Sequence, residues 1–290
     1  MRVAYYPGCS VHGVARDYGE SIGLVCKRLS ISLDEIEDWN CCGASAAHSI
    51  DHALAIGLGA RNLALVERMG LGCVVTPCSG CFSRLTAAAY EFGRSDALDN
   101  EIEGRLAAPL PRDVEVLHLL QLMIDSVGLD RIAAEVVRPL QGLRLGAYYG
   151  CLLTRPTQVT RFDDPEQPTS LDRLLRALGA ETVDWSHKAE CCGAGFAASE
   201  TDIVLELGSQ VLESARDAGA DAIVVACPLC QTNLDTRQQA MKNRSGKDFD
   251  LPVVYFTQLM GLAFGFSPKA LGMRRLLVDS RSKLRAMGIR

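Results

Sequence analysis

Residues 73–82 read Cys73-Val74-Val75-Thr76-Pro77-Cys78-Ser79-Gly80-Cys81-Phe82, and residues 222–231 read Ala222-Ile223-Val224-Val225-Ala226-Cys227-Pro228-Leu229-Cys230-Gln231. Each is a short apolar, valine-containing run of the kind that forms a buried strand, and each ends by delivering a C-x2-C pair. The steps from 78 to 227 and from 81 to 230 are both 149 residues, so one structural event occurs twice in one chain. A duplicated strand-to-helix unit is the starting point for the fold.

Upstream of each pair the repeat continues. Cys41-Cys42-Gly43 is matched by Cys191-Cys192-Gly193, and Cys9 by Cys151, at offsets of 150 and 142. The spacings are C-x31-CC-x35-C-x2-C and C-x39-CC-x34-C-x2-C, which absorb ten of the twelve cysteines. The longer spacing in the second copy is supplied by an extra loop, Arg161-Phe162-Asp163-Asp164-Pro165-Glu166-Gln167-Pro168-Thr169.

The flanking elements repeat as well. Residues 1–8 read as a strand with a turn at Pro7-Gly8, followed by a helix over 18–29, a strand over 31–36 and a long helix over 49–69 closed by Gly70 and Gly72. In the second copy, 143–149 is a strand, 170–178 a helix, 182–185 the approach to the second cysteine pair, 201–218 a long helix and 222–226 a strand. Strands alternating with helices predict an α/β protein with mainly parallel sheets. The linker falls at about 133–142, giving an N-terminal domain 1–140 and a C-terminal domain 141–290 in a pseudo-twofold relation, each able to bury its own core. In such sheets ligands gather at the carboxyl ends of strands, where Cys9, Cys78, Cys151 and Cys227 would all lie.

Composition excludes several classes. Of 290 residues, 48% are hydrophobic and 22% charged, with a formal net charge of -5, so neither nucleic acid nor an anionic membrane surface is an expected partner. No stretch reaches the roughly 18 apolar residues of a membrane span, the best candidate near 259–266 being far too short, and the N-terminus lacks a signal-peptide core. The chain is expected in the cytoplasm, where thiols stay reduced and metal or redox chemistry outranks disulfides.

Five thiolates are one more than a tetrahedral zinc site uses. Neighbouring cysteines gripping one ion would be strained, whereas two irons of one cluster accommodate them better, so an iron-sulfur cluster is the favoured occupant of each set and zinc the alternative. The C-x2-C pair at a helix start places backbone N–H groups near sulfur, and Gly43 and Gly193 allow the turn after each adjacent pair. Cys26 and Cys73 lie outside both patterns and read as core fillers.

The stretches Tyr5-Tyr6-Pro7-Gly8-Cys9-Ser10, Cys41-Cys42-Gly43, Pro77-Cys78-Ser79-Gly80-Cys81-Phe82, Tyr149-Gly150-Cys151, Asp163 to Asp172, Cys191-Cys192-Gly193-Ala194-Gly195 and Cys227-Pro228-Leu229-Cys230-Gln231-Thr232-Asn233-Leu234-Asp235 carry a resemblance over nearly the whole chain. It resembles the catalytic B subunit of heterodisulfide reductase, within the cysteine-rich CCG-domain family that includes similar subunits of bacterial sulfur-oxidising complexes. The resemblance implies two non-cubane [4Fe-4S] clusters, one on Cys9, Cys41, Cys42, Cys78 and Cys81 and the other on Cys151, Cys191, Cys192, Cys227 and Cys230. These cysteines would act catalytically through the clusters, on a disulfide or other small sulfur compound held between them, in a two-electron reduction or its reverse. It also implies a ferredoxin-like C subunit and a flavin-containing A subunit as partners. In keeping with that, the chain has neither a C-x2-C-x2-C-x3-C-P ferredoxin run nor a G-x-G-x-x-G fingerprint of its own. An electron-transfer subunit of a hydroxyacid or succinate oxidoreductase, without disulfide chemistry, is the competing reading.

Lesser candidates surround the cysteines. His12 and His187 are close enough in sequence to protonate a leaving thiolate, and Arg155 and Lys188 could attract an anion, although solvated surface roles are commoner for all four. His48 and His52 stand at i and i+4 of a helix start without the acidic partner of a zinc pair. The C-terminal stretch 274–290 alternates apolar and basic positions, as a capping helix or a docking element would.

Overall fold

The computed structural model describes residues 1–44, 47–106, 109–111 and 113–279. It contains two four-stranded parallel sheets with the same strand order, β2-β1-β3-β4 and β6-β5-β7-β8. The first is built from β1 (Arg2–Tyr5), β2 (Ser32–Glu35), β3 (Cys73–Thr76) and β4 (Glu115–His118). The second is built from β5 (Arg144–Tyr148), β6 (Glu181–Thr182), β7 (Ala222–Val225) and β8 (Val253–Tyr255). The central strands are apolar and buried on both faces, the reason they read as near-continuous hydrophobic runs.

Helices fill the connections. The first half runs α1 (Gly8–His12), α2 (Arg16–Arg28), α3 (Ala47–Ile50), α4 (His52–Arg68), α5 (Ser79–Glu91), α6 (Asp96–Leu106), α7 (Leu119–Gln121), which widens into a π-helical turn over Leu122–Val127, and α8 (Leu129–Ala134). The second runs α9 (Thr157–Thr160), α10 (Ser170–Ala177), α11 (Thr201–Asp217), α12 (Pro228–Thr236), α13 (Gln238–Ser245) and α14 (Phe256–Ala263). The α/β class, the duplication and the parallel sheets expected from the sequence are all present.

Two details differ from expectation. The helix expected over 49–69 is interrupted at Asp51, whose extended backbone (φ -153°, ψ 121°) and side chain cap α4 by accepting the Leu54 N–H at 3.0 Å. His48 and His52 consequently belong to different helices and share no continuous face. Each sheet also gains a fourth strand, followed by a helix, beyond the elements that the sequence pattern marks. Of the C-terminal stretch 274–290, read as a capping helix or a docking element, residues 280–290 lie outside the described residues, and a 3-10 turn forms at Met273–Arg275.

The two halves exchange their last helices. α14 packs against α2, and in the reciprocal sense α7 and α8 pack against α10. Across the first contact Tyr18 stacks on Tyr255 with ring centroids 3.9 Å apart, Ser21 Oγ and Thr257 Oγ1 lie 2.6 Å apart, and Gln258 Nε2 donates to Asp17 Oδ2 at 3.1 Å. The connecting stretch is pinned to the second half: the N–H groups of Val137 and Arg138 donate to Ala263 O, and that of Leu140 to Leu178 O. A single apolar core runs unbroken from one half into the other.

Candidate metal centre

Because both sheets are parallel, the strands that carry cysteines all end on the same side of their sheet. Cys9 follows β1, Cys41 and Cys42 follow β2, and Cys78 and Cys81 follow β3; the second set repeats this after β5, β6 and β7. All twelve cysteines are free thiols. Exposure also repeats, with Cys42, Cys78 and Cys81 buried beneath exposed Cys9 and Cys41, and Cys192, Cys227 and Cys230 buried beneath half-buried Cys151 and Cys191.

Local backbone features hold each set. Gly8 and Gly150 adopt φ of +70° and +67°, and a Cβ at either would lie 3.0 Å from Cys81 Sγ or 3.3 Å from Cys230 Sγ. Both glycines combine a left-handed backbone with a close approach to sulfur that only a missing side chain permits. The N–H of Gly43 points to Cys41 Sγ at 3.5 Å and that of Gly193 to Cys191 Sγ at 3.3 Å. Tyr6 donates its hydroxyl to Asn40 O at 2.8 Å, and Tyr148 donates to Glu190 O at 2.7 Å. These tyrosines clamp the carbonyl just before each Cys-Cys-Gly turn. They are absent from the sequence-derived candidates, although the repeat Tyr-x-Gly-Cys (6–9 and 148–151) is a signal that marks them.

The sulfurs crowd one another. Cys42 and Cys81 Sγ are 3.3 Å apart, and Cys192 and Cys230 Sγ 3.5 Å apart. Hydrogen bonds from Cys41 and then Cys81 pull the Cys42 thiol down to about 3, while Cys41, bonded to Cys42, is pushed up. In the second set Cys191 is lowered to about 6, chiefly by the Cys151 thiol. Cys227 is held well below the usual thiol range by Cys230 first and Cys78 second, with the N–H groups of Cys230 and Leu229 at the start of α12 adding to the effect. That is the helix-start stabilisation of thiolate expected from the C-x2-C spacing. Cys78 and Cys227 perturb each other's titration across the halves, and a Cβ at Gly80 would lie 3.7 Å from Leu229 Cδ1, so the two C-x2-C turns adjoin.

A cavity of about 260 Å³ is lined by all five cysteines of the second set. Ala44, Ser79 and Gly80 of the first half close its other side, and Leu229, 40% exposed, stands in its wall. Two sets of five crowded thiols, glycines cut back to admit sulfur, and a cavity ringed by one whole set fit sulfur-ligated iron clusters. Among the described residues, no three or more His, Cys, Asp and Glu side chains are arranged around a single metal ion.

The other candidates have different fates. His12 Nε2 lies 2.9 Å from Glu35 Oε1 and its ring stacks on Trp39; His187 Nδ1 lies 2.9 Å from Ser186 Oγ. Arg155 donates to the carbonyls of Pro165 and Ala189, tying the inserted loop to the approach of the second cysteine pair. Lys188 is not a solvated surface cation. It is 6% exposed and pairs at 3.2 Å with Asp172, itself 3% exposed, which also accepts the Tyr149 hydroxyl at 2.6 Å. Cys26 and Cys73 are removed from the sets, and burial pushes their thiols up to about 12 and about 11.

Comparison with known proteins agrees with this geometry. The cysteine-rich CCG domain model matches residues 3–86 and 145–235. The chain is 33% identical over 96% of its length to the 8-methylmenaquinol:fumarate reductase membrane anchor subunit of Wolinella succinogenes, covering 97% of that protein. It is 31% identical, again over 96%, to the B subunit of the ferredoxin/F420H2-dependent CoB-CoM heterodisulfide reductase of Methanosarcina acetivorans, covering 94% of it. A crystal structure of a hypothetical protein from Helicobacter pylori shares the fold, with a TM-score of 0.77 at 12% identity, over 96% of this chain and 52% of that one.

Proposed function

Since this chain belongs to the cysteine-rich CCG domain family, we propose that it is the iron-sulfur subunit of a heterodisulfide reductase-like oxidoreductase complex. In this reading domains 1–140 and 141–290 each hold one non-cubane [4Fe-4S] cluster, the first on Cys9, Cys41, Cys42, Cys78 and Cys81, the second on Cys151, Cys191, Cys192, Cys227 and Cys230. The clusters, when bound, supply electrons one at a time. The overall reaction is R–S–S–R′ + 2 e⁻ + 2 H⁺ → RSH + R′SH, or its reverse. The single observation that carries the proposal is the meeting of the two thiol sets at Cys78 and Cys227 beside a cavity.

The chain's own residues set the stage for this chemistry. Tyr6, Tyr148, Gly43 and Gly193 orient the adjacent cysteine pairs, and the start of α12 favours thiolate at Cys227. The apolar wall of the cavity limits water around the reacting sulfurs. Electrons enter from a ferredoxin-like subunit supplied by a flavin-containing one, in keeping with a sequence that carries no recognisable nicotinamide or ferredoxin motif. No helix among the described residues is long and apolar enough to cross a membrane, and twelve free thiols suit a reducing cytoplasm.

The 33% identity to a fumarate reductase subunit favours a second reading, a subunit that relays electrons without acting on sulfur. Anaerobically purified protein should be brown and carry about eight irons, and Cys42→Ala or Cys192→Ala should each remove one cluster's spectroscopic signal and abolish two-electron turnover. A colourless protein with about two zincs would overturn the cluster assignment. Turnover of disulfides with an artificial electron donor supports the enzyme; its absence in protein with intact clusters leaves the relay.

A further inference from the structure

The peptide that follows each cysteine pair offers its N–H to a cysteine sulfur, and in the second half a side chain holds that peptide from its other side. Gly193 N–H points to Cys191 Sγ at 3.3 Å, and Gly43 N–H to Cys41 Sγ at 3.5 Å. The carbonyl of the same Cys192–Gly193 peptide accepts a hydrogen bond from Asn233 Nδ2 at 2.6 Å. This peptide is trans. Its C=O and N–H point in opposite directions, so a side chain that grips the carbonyl aims the N–H at the sulfur.

The first half lacks this grip. Arg84 stands in α5 where Asn233 stands in α12, its Nη2 lies 3.5 Å from Ser83 Oγ, and no side chain among the described residues donates to Cys42 O. Instead, buried Asn62 steadies the chain ahead of the pair, accepting from Asn40 N–H and donating to Asn40 O, both at 3.0 Å. Val211 takes the matching place in α11. The two copies thus anchor their cysteine turns differently, and the second alone fixes the peptide that bonds to sulfur. Asn233 is 4% exposed, and its Oδ1 makes no hydrogen bond among the described residues. A leucine of similar size would avoid that unpaired oxygen, so stability alone does not account for an amide here.

From these contacts we infer that Asn233 is a positioning residue that raises the reduction potential of the second site, by holding the Gly193 N–H on the Cys191 sulfur. This rests on the cluster assignment above and names a residue that makes the two halves electronically unequal. Reduction adds one negative charge to a cluster, part of which lies on its sulfur ligands, and an N–H donor stabilises that charge. An electron reaching the second site is held more tightly with the amide in place than without it; no proton moves and no bond breaks.

The test is an anaerobic redox titration of the iron-loaded protein followed by electron paramagnetic resonance, with the two signals assigned through Cys42→Ala and Cys192→Ala. Asn233→Leu and Asn233→Ala both remove the donor. Each should lower the second site's potential by about three- to tenfold in the one-electron reduction equilibrium, about 28 to 59 mV at 59 mV per tenfold. Iron content and the first site's potential should stay unchanged. A smaller shift, a rise, or an equal shift at both sites overturns the inference. So does loss of the second signal from both variants, since Asn233 would then serve assembly rather than potential. Unsubstituted protein without iron removes the cluster assignment and the inference together, whereas disulfide turnover decides the sulfur reading separately.

Discussion

Replacing Lys188 with Met leaves the Asp172 carboxylate buried without its counter-ion, and breaking one side of such a pair is costly, about 3 kcal/mol or more. Lys188→Met should lower the urea midpoint accordingly, and Lys188→Met with Asp172→Leu should recover part of the loss. Equal midpoints for the single and double variants would show that the pair is not coupled. Cys26 gives a pH signature. Burial raises its thiol from 9.0 to about 12, so the folded chain keeps a proton that the unfolded chain has lost. That stabilisation is complete below about pH 9 and disappears as pH rises towards 12, at up to about 1.4 kcal/mol per pH unit. Cys26→Ala should flatten this alkaline decline, and an unchanged slope in stability measured from pH 8 to 11 would count against it. At this scale the cysteines are legible because ten of them repeat at fixed offsets. The Lys188–Asp172 pair is not, since residues 16 apart in sequence meet only once α10 folds back beside the second Cys-Cys-Gly turn.

At the scale of elements, the strand-to-cysteine turns control whether sulfur can approach the backbone. Gly8→Ala and Gly150→Ala each ask a left-handed turn to accept a Cβ pressed against the sulfur of Cys81 or Cys230. Each should therefore lower the iron content of its own half, the Gly8 variant losing the first cluster's signal and the Gly150 variant the second's. Full iron in both variants would mean that the sulfurs have room to move away. β1, β3, β5 and β7 are readable because each is a mainly apolar run closed within three residues by Gly or Pro. β4 and β8 are hidden because no cysteine of the repeat follows them to mark their ends, and β4 also begins at Glu115 and ends at His118. The break before α4 is masked by apolar periodicity that continues through it; only the capping preference of Asp51 marks the boundary.

For the whole molecule, duplication suggests two bodies that each bury a core, and the helix exchange adds a dependence that spacing does not reveal. α14 covers α2, and α7 with α8 covers α10, so each half relies on the other for part of its apolar burial. Separating 1–140 from 141–290 would strip Tyr18, fully buried, of its stack on Tyr255 and break the neighbouring Ser21–Thr257 and Asp17–Gln258 contacts. Each fragment alone should therefore lack a sharp unfolding transition and native near-ultraviolet dichroism, and mixing the two should restore both. In the intact chain Tyr18→Ala should cost about 3 kcal/mol or more, by the scale of large aromatic truncations, while unfolding stays a single transition. The same contact surface brings Cys78 against Cys227, so loosening it should also weaken the coupling between the two sites. Fragments that fold cooperatively by themselves, or a Tyr18→Ala variant whose halves melt separately with both sites intact, would show that the cleft is held together by something other than the exchanged helices.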